Sequence, residues 1–214
     1  MRTRLKICGI TRPQDADQVV AVGADGLGLI FYPPSPRYVD ITAAAAIAAQ
    51  VPPLTDVIAV FVNPSAEQVD RVLQRVAIST LQFHGDESAA FCNSFGVPYI
   101  KTLRVSDQDS LVTRCVGHSD AGAVLLDTQD AALYGGTGRS FPWHLAREVE
   151  QVPVILAGGL TEQTVSKAIR VSGAYAVDVS SGVESSPGIK DANKIARFAR
   201  AVRDHDASVA GVHE

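Results

Sequence analysis

The chain has 214 residues, 46% of them hydrophobic, with a net charge of −4 from 19 basic and 23 acidic residues and no run of like charge. It can bury a large core without a metal or disulfide, and its charge balance predicts neither a nucleic-acid-binding nor a membrane-binding surface. Cys8, Cys92 and Cys115 lie far apart and are odd in number, which argues against a disulfide framework and for a reducing compartment.

Short apolar runs alternate with helix signals almost from end to end. LKIC (5–8) is followed by PQDADQVVAVG, with Pro13 near a first turn and Gly23 at a stop. DGLGLIF (25–31) precedes ITAAAAIAAQV, for which Thr42 is a candidate cap. VIAVFV (57–62) leads into NPSAEQVDRVLQRV, where Ser65 precedes helix formers. TLQFH (80–84) is followed by GDESAAFCNSFG, and YIKTL (99–103) by a weaker helix signal at 107–116. AVLLD (123–127) and a second weak signal at 141–151 come next, then PVILA (153–157) with TEQTVSKAIR. AYAVDVS (174–180) and KDANKIARFARAVRD close the series, and residues 206–214 read as a loose tail.

Strands that are continuously hydrophobic belong to a parallel sheet covered on both faces. Eight of them alternating with about eight helices predict an α/β fold, a (βα)8 TIM barrel of parallel strands. An open doubly wound sheet is the alternative, but no Gly-x-Gly-x-x-Gly follows the first strand. No linker divides the chain, so residues 1–205 are expected to form one catalytic domain. No Cys-x-x-Cys or His-x-x-x-His pair supports a metal site. The N-terminus enters a strand at once, without a signal-peptide or membrane-spanning stretch, so a cytoplasmic protein is expected.

In a βα barrel the reacting groups cluster at the C-terminal ends of the strands. Cys8 ends the first strand, His84 the fourth, Asp127 the sixth, and Ser180, Ser181 and Gly182 follow the eighth. Gly158 and Gly159 follow the seventh, just before a helix that Thr161 is placed to cap. Glycine loops after strands seven and eight suit a phosphate, whose oxygens accept from closely approaching backbone N–H groups; a tight βα turn is the plainer reading. Three prolines in YPPSPRYV hold Arg37 in a defined place, where its paired N–H groups suit a carboxylate or phosphate. Asp127 ends a buried strand and suits a general acid, or else a cap or loop anchor. His84 reads equally as a satisfied histidine or as a ring-polarising contact. The glycine-rich segment GGTGRSF (135–141) reads as a lid or as a flexible insertion. Strand parity turns Lys6 the same way as Cys8 and Asp178 the same way as Ser180. In a closed barrel strands eight and one are neighbours, so Lys6 and Asp178 are expected to pair inside it.

KICGIT, GLIFYPPSPRYV, VFVNPS, LQFHGDE, LLDT with GGTGRSFPW, ILAGGLT and VDVSSGVESSPGIKD together resemble the phosphoribosylanthranilate isomerases of tryptophan biosynthesis. The blocks keep the family's order over residues 6 to 191. Thr164, Phe83 and Pro142 depart from commoner residues in matters of packing and loop detail. The resemblance implies a TIM barrel that carries out an Amadori rearrangement of N-(5-phosphoribosyl)anthranilate. It implies Cys8 as general base and Asp127 as general acid, Arg37 and His84 at the anthranilate end, and Gly158, Gly159, Ser180, Ser181 and Gly182 around the phosphate. The substrate's own nitrogen serves as electron sink, so neither metal nor organic cofactor is expected. The implied partner is a small phosphosugar, with the protein a monomer or homodimer. Lys6 is the nearest helper for a Cys8 thiolate, with Asp178 competing for its charge. A related histidine-pathway isomerase has aspartate where Cys8 stands, and a non-catalytic phosphosugar-binding protein is a further alternative.

Overall fold

A parallel strand that is apolar on both faces must be covered twice, and this chain does so by closing its sheet on itself. The computed structural model describes residues 2–105, 111–128 and 142–210. The strands are β1 (Arg4–Cys8), β2 (Gly26–Ile30), β3 (Asp56–Phe61), β4 (Thr80–Phe83), β5 (Tyr99–Val105), β6 (Ala123–Thr128), β7 (Val154–Leu156) and β8 (Ala176–Val179). They pair in parallel in chain order, and β8 returns to β1 to complete a closed barrel. The TIM barrel expected from the sequence is the fold observed, and the open sheet is excluded.

Parity along the strands separates two cores. Leu5, Ile7, Leu27, Leu29, Ala59 and Phe61 pack outward against the helices. Cys8, Ile58, Val60, Ile100, Leu125, Ile155 and Ala176 fill the barrel. Both faces are buried, which is why the strands read as unbroken apolar runs rather than alternating ones.

The helices are α1 (Pro13–Ala21), α2 (Ile41–Ala48), α3 (Ala66–Leu73), α4 (Ala89–Asn93), α5 (Leu111–Val116), α6 (Val165–Ser172) and α7 (Ala192–Ala210). Ser65 caps α3 in a full capping box with Gln68. Thr42 is not the cap of α2: Asp40 stands there and accepts from the Ala43 N–H. Thr161 does not cap α6 either, because Thr164 occupies the N-cap and Thr161 N–H donates to its hydroxyl at 2.9 Å. The weak signal at 141–151 is a 3-10 helix, Trp143–Glu148. The expected tail is helical through Ala210, and Asp206 accepts from both the N–H and the hydroxyl of Thr3, tying α7 to the chain's beginning.

Phe83 is the hub of an outer aromatic cluster, stacked near Phe61 and Phe95 and edge-on to Phe91 and Tyr99, with centroids 5.8–6.3 Å away. Lys101, on the outer face of β5, donates to Gly85 O and Glu87 Oε2, both at 2.6 Å. Glu87 in turn accepts from the N–H groups of Gly85 and Asn63. This buried knot fixes the loop that begins with His84. Lys101→Met leaves the buried Glu87 carboxylate without its counter-charge and should lower stability by about 3–5 kcal/mol, read by urea unfolding; a loss within error would contradict the network.

Candidate active site

One pocket at the C-terminal ends of the strands is lined by Cys8, Arg37, His84, Asp127, Gly158, Gly159, Ser180, Ser181 and Gly182. Its empty volume is about 780 Å³, open mouth included, a size suited to a small organic molecule. The sequence had dispersed these residues over almost the whole chain, and barrel closure brings them all together. The segment GGTGRSF (135–141) lies outside the described residues.

Cys8 is the last residue of β1 and is buried. Gly28 lies opposite it in the β1–β2 register. A Cβ at Gly28 would stand 2.7 Å from the Cys8 sulfur and 3.2 Å from Lys6 Nζ, so this glycine clears the space the thiol occupies. Sequence reasoning gave Gly28 no role. Its signal is a glycine inside a strand, which often marks a close approach.

Lys6 and Asp178 are direct neighbours across β1 and β8, with Lys6 Nζ 2.9 Å from Asp178 Oδ2. The pair expected from parity is present. Burial opposes the charge on Lys6, but Asp178 and Cys8 together hold the ammonium above its ordinary value. Burial pushes the Cys8 thiol up, against the pull of Lys6, and Asp178 adds to the rise. The competition foreseen for the Lys6 charge thus leaves the thiol above, not below, its usual value.

Asp127, on the inward face of β6, is buried and lies 3.5 Å from His84 Nε2. The other ring nitrogen of His84 faces the Gln82 amide nitrogen at 3.4 Å, and Gln82 also donates to Thr102 Oγ1 at 3.2 Å. An amide NH₂ is a donor only, so in the neutral ring Nδ1 accepts and Nε2 carries the proton toward Asp127. His84 is therefore a link between a barrel amide and the candidate acid.

Arg37 is fixed by more than its prolines. Its Nε and Nη2 donate to the two oxygens of Glu184, each at 2.8 Å, a bidentate fork. Lys190 Nζ donates to Glu184 Oε1 at 2.8 Å and to the Ser180 carbonyl at 3.1 Å. Glu184 and Lys190 belong to a small antiparallel hairpin after β8, β9 (Glu184–Ser186) with β10 (Ile189–Lys190). The hairpin and both charged residues escaped sequence reasoning. A glutamate and a lysine flanking Ser-Pro-Gly are the signal that was available.

Gly158 and Gly159 have φ of 83° and 64°, a consecutive left-handed turn that side chains resist. A Cβ at Gly182 would overlap the Leu160 carbonyl oxygen, so the loops after β7 and β8 meet backbone to backbone. Ser180, Ser181 and Gly182 thereby face the glycine pair across one corner of the pocket.

Burial pushes the Glu184 carboxyl up, but hydrogen bonds from Arg37 and the charge of Lys190 outweigh it and hold the group below its ordinary value of 4.5. A carboxyl depressed on folding contributes stability above its unfolded value, and that contribution is lost as pH falls through the folded one. Glu184→Gln should therefore be less stable than wild type at neutral pH, with the gap closing on acidification; thermal melts showing a constant gap would contradict this.

The chain matches the family model PRAI, N-(5'phosphoribosyl)anthranilate (PRA) isomerase, over residues 5–201. It is 50% identical over 197 residues to the N-(5'-phosphoribosyl)anthranilate isomerase of Neisseria meningitidis serogroup A, covering 92% of this chain and 95% of that one. Identity to the enzyme of that name from Pseudomonas fluorescens is 48% over 206 residues, covering 96% and 98%. The crystal structure of phosphoribosyl anthranilate isomerase from Thermotoga maritima gives a TM-score of 0.87 at 35% identity, covering 94% and 99%. A phosphoribosyl anthranilate isomerase in complex with reduced 1-(o-carboxyphenylamino)-1-deoxyribulose 5-phosphate gives 0.83 at 34% identity, with the same coverage. The chain belongs to the N-(5'-phosphoribosyl)anthranilate isomerase family.

Proposed function

We propose that this protein converts N-(5-phosphoribosyl)anthranilate to 1-(2-carboxyphenylamino)-1-deoxyribulose 5-phosphate in tryptophan biosynthesis, with Asp127 as general acid and Cys8 as general base. The observation that carries the reading is that one pocket is lined by Cys8, Asp127, Arg37 and the glycine loops after β7 and β8, in a chain of this family.

The substrate is anionic at both ends and reacts in its middle. Its phosphate suits the backbone corner formed by Gly158, Gly159, Ser181 and Gly182. Its benzoate suits Arg37, whose fork to Glu184 leaves other N–H donors for a second carboxylate. Asp127 delivers a proton to the ring oxygen as the anthranilate nitrogen lone pair opens the ring to a Schiff base. The cationic nitrogen then draws electrons from C2, and Cys8 takes the C2 proton, giving an enaminol. Proton addition at C1 and loss of the C2 hydroxyl proton complete the ketone and return both side chains to their starting states. No outside electron sink enters this sequence. His84, beside Asp127, steers the acid and the anthranilate ring. Among the described residues no helix is long and apolar enough to cross a membrane, which accords with a cytoplasmic biosynthetic enzyme.

Asp127→Asn should fold normally and lose about 10²- to 10⁴-fold in kcat; wild-type turnover would refute its role. Arg37→Ala should act chiefly through KM, raising it about tenfold or more, and an unchanged KM would refute the clamp. The active form of Cys8 is its thiolate, and its titration lies above the ordinary thiol value. The profile of kcat/KM should therefore still be rising above neutral pH, and a plateau reached below pH ~7 would contradict Cys8 as the base.

A further inference from the structure

The pocket contains a buried group that the reaction scheme leaves without a task. Asp178 lines the cavity, and its side chain is 9% exposed. Oδ2 pairs with Lys6 Nζ at 2.9 Å. Oδ1 has no hydrogen-bond partner among the described residues. A carboxylate oxygen buried without a donor is costly, and native structures rarely leave one so. The residue lines the cavity, so with a turn of the carboxylate a ligand in the pocket is placed to supply the donor.

Register restricts which donor. Lys6 and Asp178 face each other across β1 and β8. Cys8 and Ser180 follow them by two residues on the same inward faces. Asp178 thus lies one layer below the thiol, on the strand next to it, with Lys6 beside it. Across the barrel the charged or titratable groups acting on it are Asp127 and His84. The phosphate and benzoate of the substrate accept hydrogen bonds and carry negative charge, so neither suits a carboxylate floor. The sugar hydroxyls are donors. Cys8 meets the sugar at C2, so the hydroxyl on that carbon is the donor nearest the layer beneath it.

We propose that the Asp178 carboxylate accepts a hydrogen bond from the C2 hydroxyl of the sugar, which makes Asp178 a specificity-determining residue holding C2 against the Cys8 sulfur. The inference rests on the isomerase reading and adds to it a substrate contact made by the barrel's own ion pair. A purely structural Asp178, serving only as counter-charge to Lys6, would be indifferent to that hydroxyl.

The test compares binding of reduced product analogue with its 2-deoxy counterpart by titration calorimetry. Wild type should bind the 2-deoxy analogue about tenfold more weakly or worse, as expected for a hydrogen bond to a charged acceptor. In Lys6→Met/Asp178→Leu, which replaces the ion pair by apolar groups, the two analogues should bind within about twofold of each other. Circular dichroism checks that this variant is folded, and Asp178→Asn serves in its place if it is not, with the discrimination reduced. Equal binding of both analogues by wild type would overturn the inference and leave the isomerase reading intact. Undiminished discrimination in a folded variant would do the same. Failure of wild type to bind either analogue would overturn the isomerase reading and this inference with it.

Discussion

The contact between Lys6 and Asp178 closes the barrel and sets the height of everything above it. β1 and β8 are the first and last strands, and their register places a lysine against an aspartate inside an otherwise mostly apolar barrel. Neither charge is tolerable there without the other. A one-residue slip of either strand would turn that strand's charged residue outward, and Cys8 or Ser180 with it. The ion pair therefore specifies register as well as occupying the core, and the thiol and the loop after β8 inherit their positions from it.

Around that fixed layer the pocket side chains are held by secondary contacts rather than by strand geometry alone. Gly28 leaves room for the thiol, Gln82 orients His84, and the Lys101–Glu87 knot braces the loop that begins at His84. The β9–β10 hairpin supplies Glu184, which grips Arg37, while Lys190 ties Glu184 back to the Ser180 carbonyl. Arg37 and the corner formed by Ser180 to Gly182 are thus connected through one carboxylate. Burial of these charges is tolerable because each has a partner at hydrogen-bonding distance. The thiol differs: burial outweighs Lys6 and holds it above its ordinary value, so in the proposed reaction it relies on the acidity that a Schiff base would confer on C2.

Much of this was legible in the residues. Eight apolar runs separated by helix signals are enough for the barrel, because parallel strands buried on both faces have few other arrangements. Parity and closure together were enough for the Lys6–Asp178 pair. The readings that failed were local. Thr42 and Thr161 are plausible caps by residue type, yet Asp40 and Thr164 stand at the helix starts. Residues 206–214 read as a loose tail, and the order of 206–210 comes from a distant contact, Asp206 with Thr3. Glu184 and Lys190 were invisible as site residues because a two-strand hairpin carries little periodicity and their partner, Arg37, is far away in sequence. Gly28 needed coordinates, since a glycine announces a close approach without saying to what.

The central claim is that an isolated cysteine at the end of β1 removes a proton from carbon. It is tested most directly by following the fluorescence of N-(5-phosphoribosyl)anthranilate with purified wild type and with Cys8→Ala. The account predicts rapid fluorescence loss with wild type and a rate lower by orders of magnitude with a folded Cys8→Ala. Comparable rates for the two proteins would contradict it.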